Sequence, residues 1–399
     1  MHIVFVSREY IPTLRGGGIA SYVKDMAQAF VVAGHQVTVI AASDDTCLES
    51  DIIEDDIRII RLPGGDFIIP SIETNSKLKK LRCIYRFYSY RKKIRKTLLS
   101  LENVDVVEVA EYGAESYFLN GLTFPIVVRL HTPAYLDRKT FERKNYFITQ
   151  FYEQWCAKKE EKLLQKADYI TSCSQSLKKW VNKYFHVENN KMKVIYNPIQ
   201  IKSWEIDSSH IETNSINILF VGTVTEEKGV GDLIEACKVL RTKGKEVKLT
   251  IAGKLGQYGE LLKSQISDEG WCFFMGNVPR SELKWLYGKN EISCFPSWWE
   301  AFGLICTEAM MSGSIVIGSN LGGMSEIIEN GIDGFLISPQ NPKILADKII
   351  EVHSLSLERK DQIRNKAKAK VESEFSTDAV VTQMINYYKK IIVEFNNDK

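Results

Sequence analysis

The stretch PSWWEAFGLICTEAMMSG, residues 296 to 313, holds two carboxylates, Glu300 and Glu308, with seven residues between them. Phe302 and Gly303 follow the first glutamate, and Trp298 and Trp299 precede it. The run EISCFPS before it reads as a strand ending in a loop at Pro296 and Ser297. LICTEAMM, up to Gly313, reads as a helix that begins near Phe302 or Gly303. Glu300 then stands in the loop, and Glu308 about two turns inside the helix. The first N–H groups of a helix lack intrahelical partners, and with the helix dipole they bind phosphate oxygens. Gly303 and Leu304 would supply those groups here. Ionised carboxylates only accept hydrogen bonds, so they hold hydroxyls rather than phosphate. A phosphate seat with a hydroxyl acceptor on each side fits a nucleoside diphosphate sugar. Taken alone, Glu300 reads better as a cap of the helix start and Glu308 as a surface residue; the pair in one segment is what points to a ligand.

Such residues need a frame. In open α/β sheets, ligands sit beyond the carboxyl ends of strands, near helix N-termini. Two parts of the chain have that grammar. HIVFVS is a strand-like run, followed by a loop ending in Gly16, Gly17 and Gly18. IASYVKDMAQAFVVAG puts Ile19, Val23, Met26, Ala27 and Phe30 on one helical face, with Gly34 as the stop, and HQVTVIAA is the next strand. From Asn217 the order recurs: strand NILFVG, loop TVTEEKG, helix VGDLIEACKVLRTKG, strand EVKLTIAG. The pattern predicts an α/β chain of two Rossmann-like, doubly wound domains. The polar run IQIKSWEIDSSHIETNS after Pro198 marks the boundary, giving domains over 1–200 and 201–377. The stretch 378–399 reads as a helix able to pack on either domain, the first being the expectation.

Bulk properties narrow the function. The 399 residues are 44% hydrophobic and 26% charged, as in a soluble globular protein, and suffice for two or three cores. A net charge of +2 gives no global field for nucleic acid. Eight cysteines are scattered singly, none in C-x-x-C, which suits reduced thiols and predicts a cytoplasmic protein. The start in a short strand predicts no signal peptide, and no apolar run has the length of a membrane span. Residues 77–96, KLKKLRCIYRFYSYRKKIRK, stand apart: ten of the twenty are basic and none is acidic. Leu78, Leu81, Ile84, Tyr85, Tyr88, Ile94 and Leu98 fall roughly on one helical face. Such a helix either packs its stripe on its own sheet or lies on an anionic membrane, at ~1 kcal/mol per basic residue. The complete lack of acidic partners favours the membrane for the charge.

PSWWEAFGLICTEAMMSG resembles the signature of the retaining glycosyltransferases of family four, which have the GT-B fold of two Rossmann-like domains facing a cleft. Their pattern is Glu, seven residues, Glu, with Phe-Gly after the first. Other segments match in order: SREYIPTLRGGGIASYV the N-terminal glycine loop, RLHTP the active-site histidine, VIYNPI the asparagine of the hinge strand, FVGTVTEEKG the phosphate-binding lysine, and GSNLGGMSEIIENGIDGFL the segment after the signature. The resemblance spans nearly the whole chain. It implies that Glu308 binds ribose hydroxyls, Glu300 orients the donor sugar and Lys228 neutralises the diphosphate. Gly17 and Gly18 would approach the phosphates, and His131 would sit at the sugar's 6-position or on the acceptor side. Gly276, Asn277 and Val278 resemble the loop that reads the base. Gly222, Phe302, Gly303 and Leu304 complete the implied donor-binding set.

One position departs from the family. An arginine usually follows the glycine of FVG, and here it is Thr223. Lys254, after IAG, or Arg15 is the candidate replacement for the missing cation. The implied reaction moves a sugar, with retention, from a UDP-sugar to an acceptor hydroxyl on a glycan or lipid-linked oligosaccharide. GDP-mannose is the second donor candidate. No Asp-x-Asp and no His/Cys metal spacing is present, so no metal or other cofactor is expected. Three rivals remain. A dinucleotide oxidoreductase requires G-x-G-x-x-G, which GGGIAS lacks, although Asp44 and Asp45 follow the second strand. A non-catalytic relative would have lost part of the site, as Thr223 allows. A glycogen-type phosphorylase would carry pyridoxal on a lysine.

Overall fold

Fully buried parallel strands read as unbroken apolar runs, because helices cover both faces of the sheet. The computed structural model bears this out, describing residues 1–13, 17–44, 48–66, 77–134, 136, 151–206, 215–266 and 270–397. The chain divides into two compact units, Met1–Pro198 with Thr377–Lys399, and Ile199–Ser376.

In the first unit the strands are β1 (His2–Ser7), β2 (Gln36–Ala42), β3 (Ser50–Glu54), β4 (Ile57–Leu62), β5 (Val106–Ala110), β6 (Ile126–Leu130), β7 (Tyr169–Ser172) and β8 (Met192–Val194). Their order is β3-β4-β2-β1-β5-β6-β7-β8. All neighbours are parallel except β3, which pairs antiparallel with β4 at the edge. From β4 onward this is the doubly wound order, and the direction of winding reverses between β1 and β5. The helices include α1 (Gly18–Val32), α2 (Lys77–Leu99), α3 (Phe151–Lys166) and α4 (Gln175–Phe185). One sheet face is packed by α1 and by the C-terminal helix Thr377–Asn397, through Met26, Phe30, Val380, Met384 and Tyr388. The C-terminal helix is fixed there by a polar tie as well: the hydroxyls of Tyr22 and Tyr388 both donate to the buried Glu108 carboxylate of β5, at 2.9 and 2.6 Å.

On the other face lies α2, through Tyr90, Ile94 and Leu98. Ile94 and Leu98 are buried as the sequence led us to expect, and Ile84 and Tyr88 are half-buried, but the structure corrects the rest of the expected face. The side chains of 77–80 lie outside the described residues, and Leu81 and Tyr85 are exposed, at 65% and 72%. The buried positions are Cys83, Phe87, Tyr90, Arg91, Ile94 and Leu98. The reason is Arg91: its guanidinium is fully buried against Asp66, at 2.8 Å, and against the carbonyls of Phe87, Gly113 and Ala114. A cation satisfied on every side can face inward, so Arg91 shares the buried face with Phe87, Ile94 and Leu98.

In the second unit the order β11 (Cys272–Gly276), β10 (Val247–Ala252), β9 (Ile216–Val221), β12 (Ile292–Phe295), β13 (Ile315–Ser319), β14 (Phe335–Ile337) is fully parallel. This is the 3-2-1-4-5-6 order of a Rossmann sheet, with its switch point between β9 and β12. Helices α5 (Val230–Thr242), α6 (Gly256–Ile266), α7 (Arg280–Lys289) and α8 (Leu304–Met311) make crossovers.

Candidate active site

The loops after β9 and β12 flank the switch point of the second unit, and they carry Lys228 and Glu300. Lys228 ends a single turn, Glu226–Lys228, and its ammonium forms an ion pair with Glu300. Two backbone features make the approach possible. Gly229 has φ +70°, and an added Cβ would collide with the Pro296 carbonyl. The Trp298 N–H donates to the Glu227 carbonyl at 2.8 Å. From the far side, the loop after β13 closes on Glu300: Gly323 N donates to Glu300 O at 2.8 Å, and a Cβ at Gly322, φ +74°, would strike the Glu300 backbone. The Glu300 carboxylate also accepts from Ser297 Oγ at 3.3 Å.

Helix α8 starts at Leu304, with Gly303 as its N-cap at φ 105° and no side chain capping it. Cys306 N donates back to the Gly303 carbonyl at 2.9 Å, and among the described residues the N–H groups before it are left for another acceptor. Glu308 is buried a little over one turn into α8, because the helix begins later than the sequence suggested. Both glutamates act on one neighbour: the Cys306 thiol is pushed up by burial first, then by Glu300 and Glu308. Phe302 is buried edge-on against Phe375, with ring centroids 5.8 Å apart. Glu308 accepts from Arg280 at 3.1 Å and weakly from Tyr287 Oη at 3.5 Å. Arg280 opens α7 directly after the loop of Gly276, Asn277 and Val278, so this pair brings that loop to the signature helix. Gly222 and Thr223 follow β9, and Val224 N donates to Lys254 O at 2.8 Å, which sets Lys254 beside Thr223. The Thr225 hydroxyl in the same loop is buried, with no hydrogen-bond partner among the described residues.

In the first unit, Gly17 is the extended N-cap of α1, and Gly18 is its first residue. A Cβ at Gly18 would meet nothing within 4 Å, so the unit's own packing does not demand glycine there. Arg15 and Gly16 lie outside the described residues. His131 follows β6 and is buried, its ring edge-on to Tyr22 at 4.9 Å. Burial first, and then Arg129, hold its pKa well below the usual histidine value, so the imidazole is neutral. Arg129 bonds the Ile195 carbonyl at 2.8 Å and Asn197 Oδ1 at 2.7 Å, which makes it part of the frame.

Sequence reasoning missed three residues of these sites. Arg280 had a signal, its place just after the loop of Gly276, Asn277 and Val278. Glu111 stands at the carboxyl end of β5, where a carboxylate is noteworthy. Glu160, in the run KKEEKL, carried no signal at all.

Residues 202–370 match the family model described as Glycosyl transferases group 1, and residues 16–203 match that of Glycosyltransferase Family 4. An uncharacterised glycosyltransferase of Methanocaldococcus jannaschii is 27% identical over 98% of this chain and 98% of its own length. Sucrose-phosphate synthase from Thermosynechococcus elongatus has a solved structure similar to this one, with a TM-score of 0.79 at 18% identity, covering 98% of this chain and 99% of that one. The Anabaena protein HepE, solved in complex with UDP-glucose, gives a TM-score of 0.73 at 18% identity, covering 98% and 100%.

Proposed function

Because the chain belongs to the family-four glycosyltransferases and has their GT-B fold, we propose that it moves glucose or a close relative from a UDP-sugar to an acceptor hydroxyl, with retention of configuration. The observation that carries this reading is the ion pair of Lys228 with Glu300 at the head of α8, with Glu308 on the same helix. Lys228 and the first N–H groups of α8 receive the diphosphate. Glu300 holds the sugar hydroxyls and Glu308 the ribose. Lys254, beside Thr223, supplies the second cation, and neither metal nor cofactor is required. The bound UDP-glucose of HepE supports the donor class.

Thermal-shift binding in EDTA tests it against a panel of nucleotides and nucleotide sugars. A ligand at a hundred times its Kd adds about 2.7 kcal/mol, which moves the midpoint by degrees. UDP ligands stabilise the wild type and not Glu308→Ala. Stabilisation by guanosine ligands alone turns the donor to GDP-mannose, and no shift with any nucleotide favours a non-catalytic relative.

The exposed face of α2 supports a reading of the acceptor class. Arg82, Lys92, Lys93 and Lys96 are exposed together with Leu81, Tyr85 and Leu99. Among the described residues, no helix is long and apolar enough to cross a membrane. This mixed basic and apolar face suits an anionic lipid surface and a lipid-linked glycan acceptor in envelope or exopolysaccharide assembly. In vesicle flotation, the protein rises with anionic vesicles and not with neutral ones. Equal behaviour with both lipids would remove the membrane from the proposal.

A further inference from the structure

Three backbone N–H groups are available in the turn His131–Ala134, since Pro133 has none. All three donate to two buried carboxyl groups from other elements. His131 N and Thr132 N donate to one oxygen of Glu111, at 2.8 and 2.6 Å. Ala134 N donates to Glu160 Oε2 at 3.0 Å, and the other Glu160 oxygen accepts from Gly113 N at 2.6 Å. Glu160, on α3, therefore ties the loop after β5 to the loop after β6. Glu111 is 3% exposed and Glu160 2%.

The His131 ring has no comparable support. Its Nε2 is buried and, among the described residues, has no hydrogen-bond partner, and neither has the Glu111 Oε2. A working imidazole is ordinarily aimed by a hydrogen bond on one ring nitrogen. Here the aim comes from the Tyr22 contact and from the backbone. We propose that Glu111 and Glu160 are positioning residues that fix the turn carrying His131 and, through it, the direction of the imidazole. This rests on the reading of His131 as a participant in sugar transfer.

Burying two carboxyl groups is costly unless they are paired or neutral. Burial pushes Glu111 up to about 8 and Glu160 up to about 6. Glu160 itself raises Glu111 further, while Arg8, from the loop after β1, and Arg91, from α2, draw Glu160 down. At neutral pH Glu111 is thus the carboxylic acid, whose carbonyl oxygen still accepts both N–H groups.

The ring signals of the full chain, labelled with 13C on histidine and assigned through His131→Gln, test the proposal without substrate. Glu111→Ala and Glu160→Ala move the His131 signal and leave those of the other histidines in place. Glu111→Gln keeps the wild-type position, because its amide oxygen replaces the carbonyl. Should Glu111→Ala fail to fold, Glu111→Asp carries the same expectation, one methylene short of the turn. In UDP release from UDP-glucose, Glu111→Ala lowers kcat on the order of 10²-fold, with little change in KM, as a misplaced group does. Glu111→Gln recovers most of that loss. The folded state raises the Glu111 pKa above its ordinary 4.5, so its stability contribution is full below that value and disappears as pH rises through about 8. Wild-type activity and melting temperature fall as pH rises through about 8, and those of Glu111→Gln, which keeps only the Glu160 loss nearer pH 6, do not fall there. An unmoved His131 signal in both alanine variants overturns the proposal, as does damage from glutamine equal to that from alanine. If the wild type releases no UDP, the donor reading fails, and the histidine signals alone decide the positioning role.

Discussion

Lys228→Ala lowers kcat by about 10²–10³-fold, or ~2.7–4 kcal/mol, the scale for removing one group aimed at developing charge. The ammonium of Lys228 is the cation brought to Glu300 by the approach of the loops after β9 and β12. In transfer from a nucleoside diphosphate sugar, negative charge grows on the leaving phosphate, and a fixed cation there stabilises the transition state more than the ground state. The substitution also releases Glu300 from its ion pair, so the carboxylate proposed to hold the sugar loses its orientation. Both effects fall on kcat. Lys228 is partly exposed, at 31% of its side chain, so the melting temperature stays close to wild type. Steady-state UDP release, measured with Lys254→Ala in parallel, checks this. A kcat for Lys228→Ala within about threefold of wild type, less than the loss of one such donor, would refute the role. An unaffected Lys254→Ala removes Lys254 as the second cation.

Arg91→Ala destabilises the first unit by about 3–5 kcal/mol, the cost of breaking a buried ion pair by removing one partner. The guanidinium is fully buried, 3.4 Å above the Phe87 ring centroid, and bonds Asp66 and three backbone carbonyls. Alanine leaves the Asp66 carboxylate, itself 3% exposed, without that charge-assisted bond. It also frees carbonyls of the segment that leads from β5 to Glu115. A loss of this size lowers the melting temperature by roughly 10 °C in a domain of this length. Lys92→Ala, one residue along and exposed, changes stability by less than about 0.5 kcal/mol. Calorimetry on the two variants separates them. Equal melting temperatures would mean that Arg91 is not the anchor of α2.

The two basic residues look identical in sequence, and that marks the limit of sequence reading here. Local pattern determined the fold class. Strand-loop-helix-strand units are written in period and in glycine stops, and a parallel Rossmann sheet is the ordinary way to bury two such units. The signature glutamates were legible for the same reason, since both lie within one strand-loop-helix segment. Residue types at short spacing, a local property, suggested a seat for a nucleoside diphosphate sugar, and the family resemblance assigned each glutamate its expected role.

Tertiary structure decided what depends on contacts between distant residues. The face of α2 was misread because a charge run looks solvated, and only Asp66 and the Gly113 and Ala114 carbonyls reveal that Arg91 is internal. The ion pair of Lys228 with Glu300 joins residues 72 positions apart, and the helix register that buries Glu308 depends on the left-handed Gly303. Glu160 reaches the His131 turn from 26 residues away. Helical and strand periods act over a few residues, whereas a buried carboxylate finds its partners through the path of the whole sheet. The sequence therefore determined which elements form and which residues could bind a sugar nucleotide, and the packing of those elements decided which charges are buried and what holds the groups beside them.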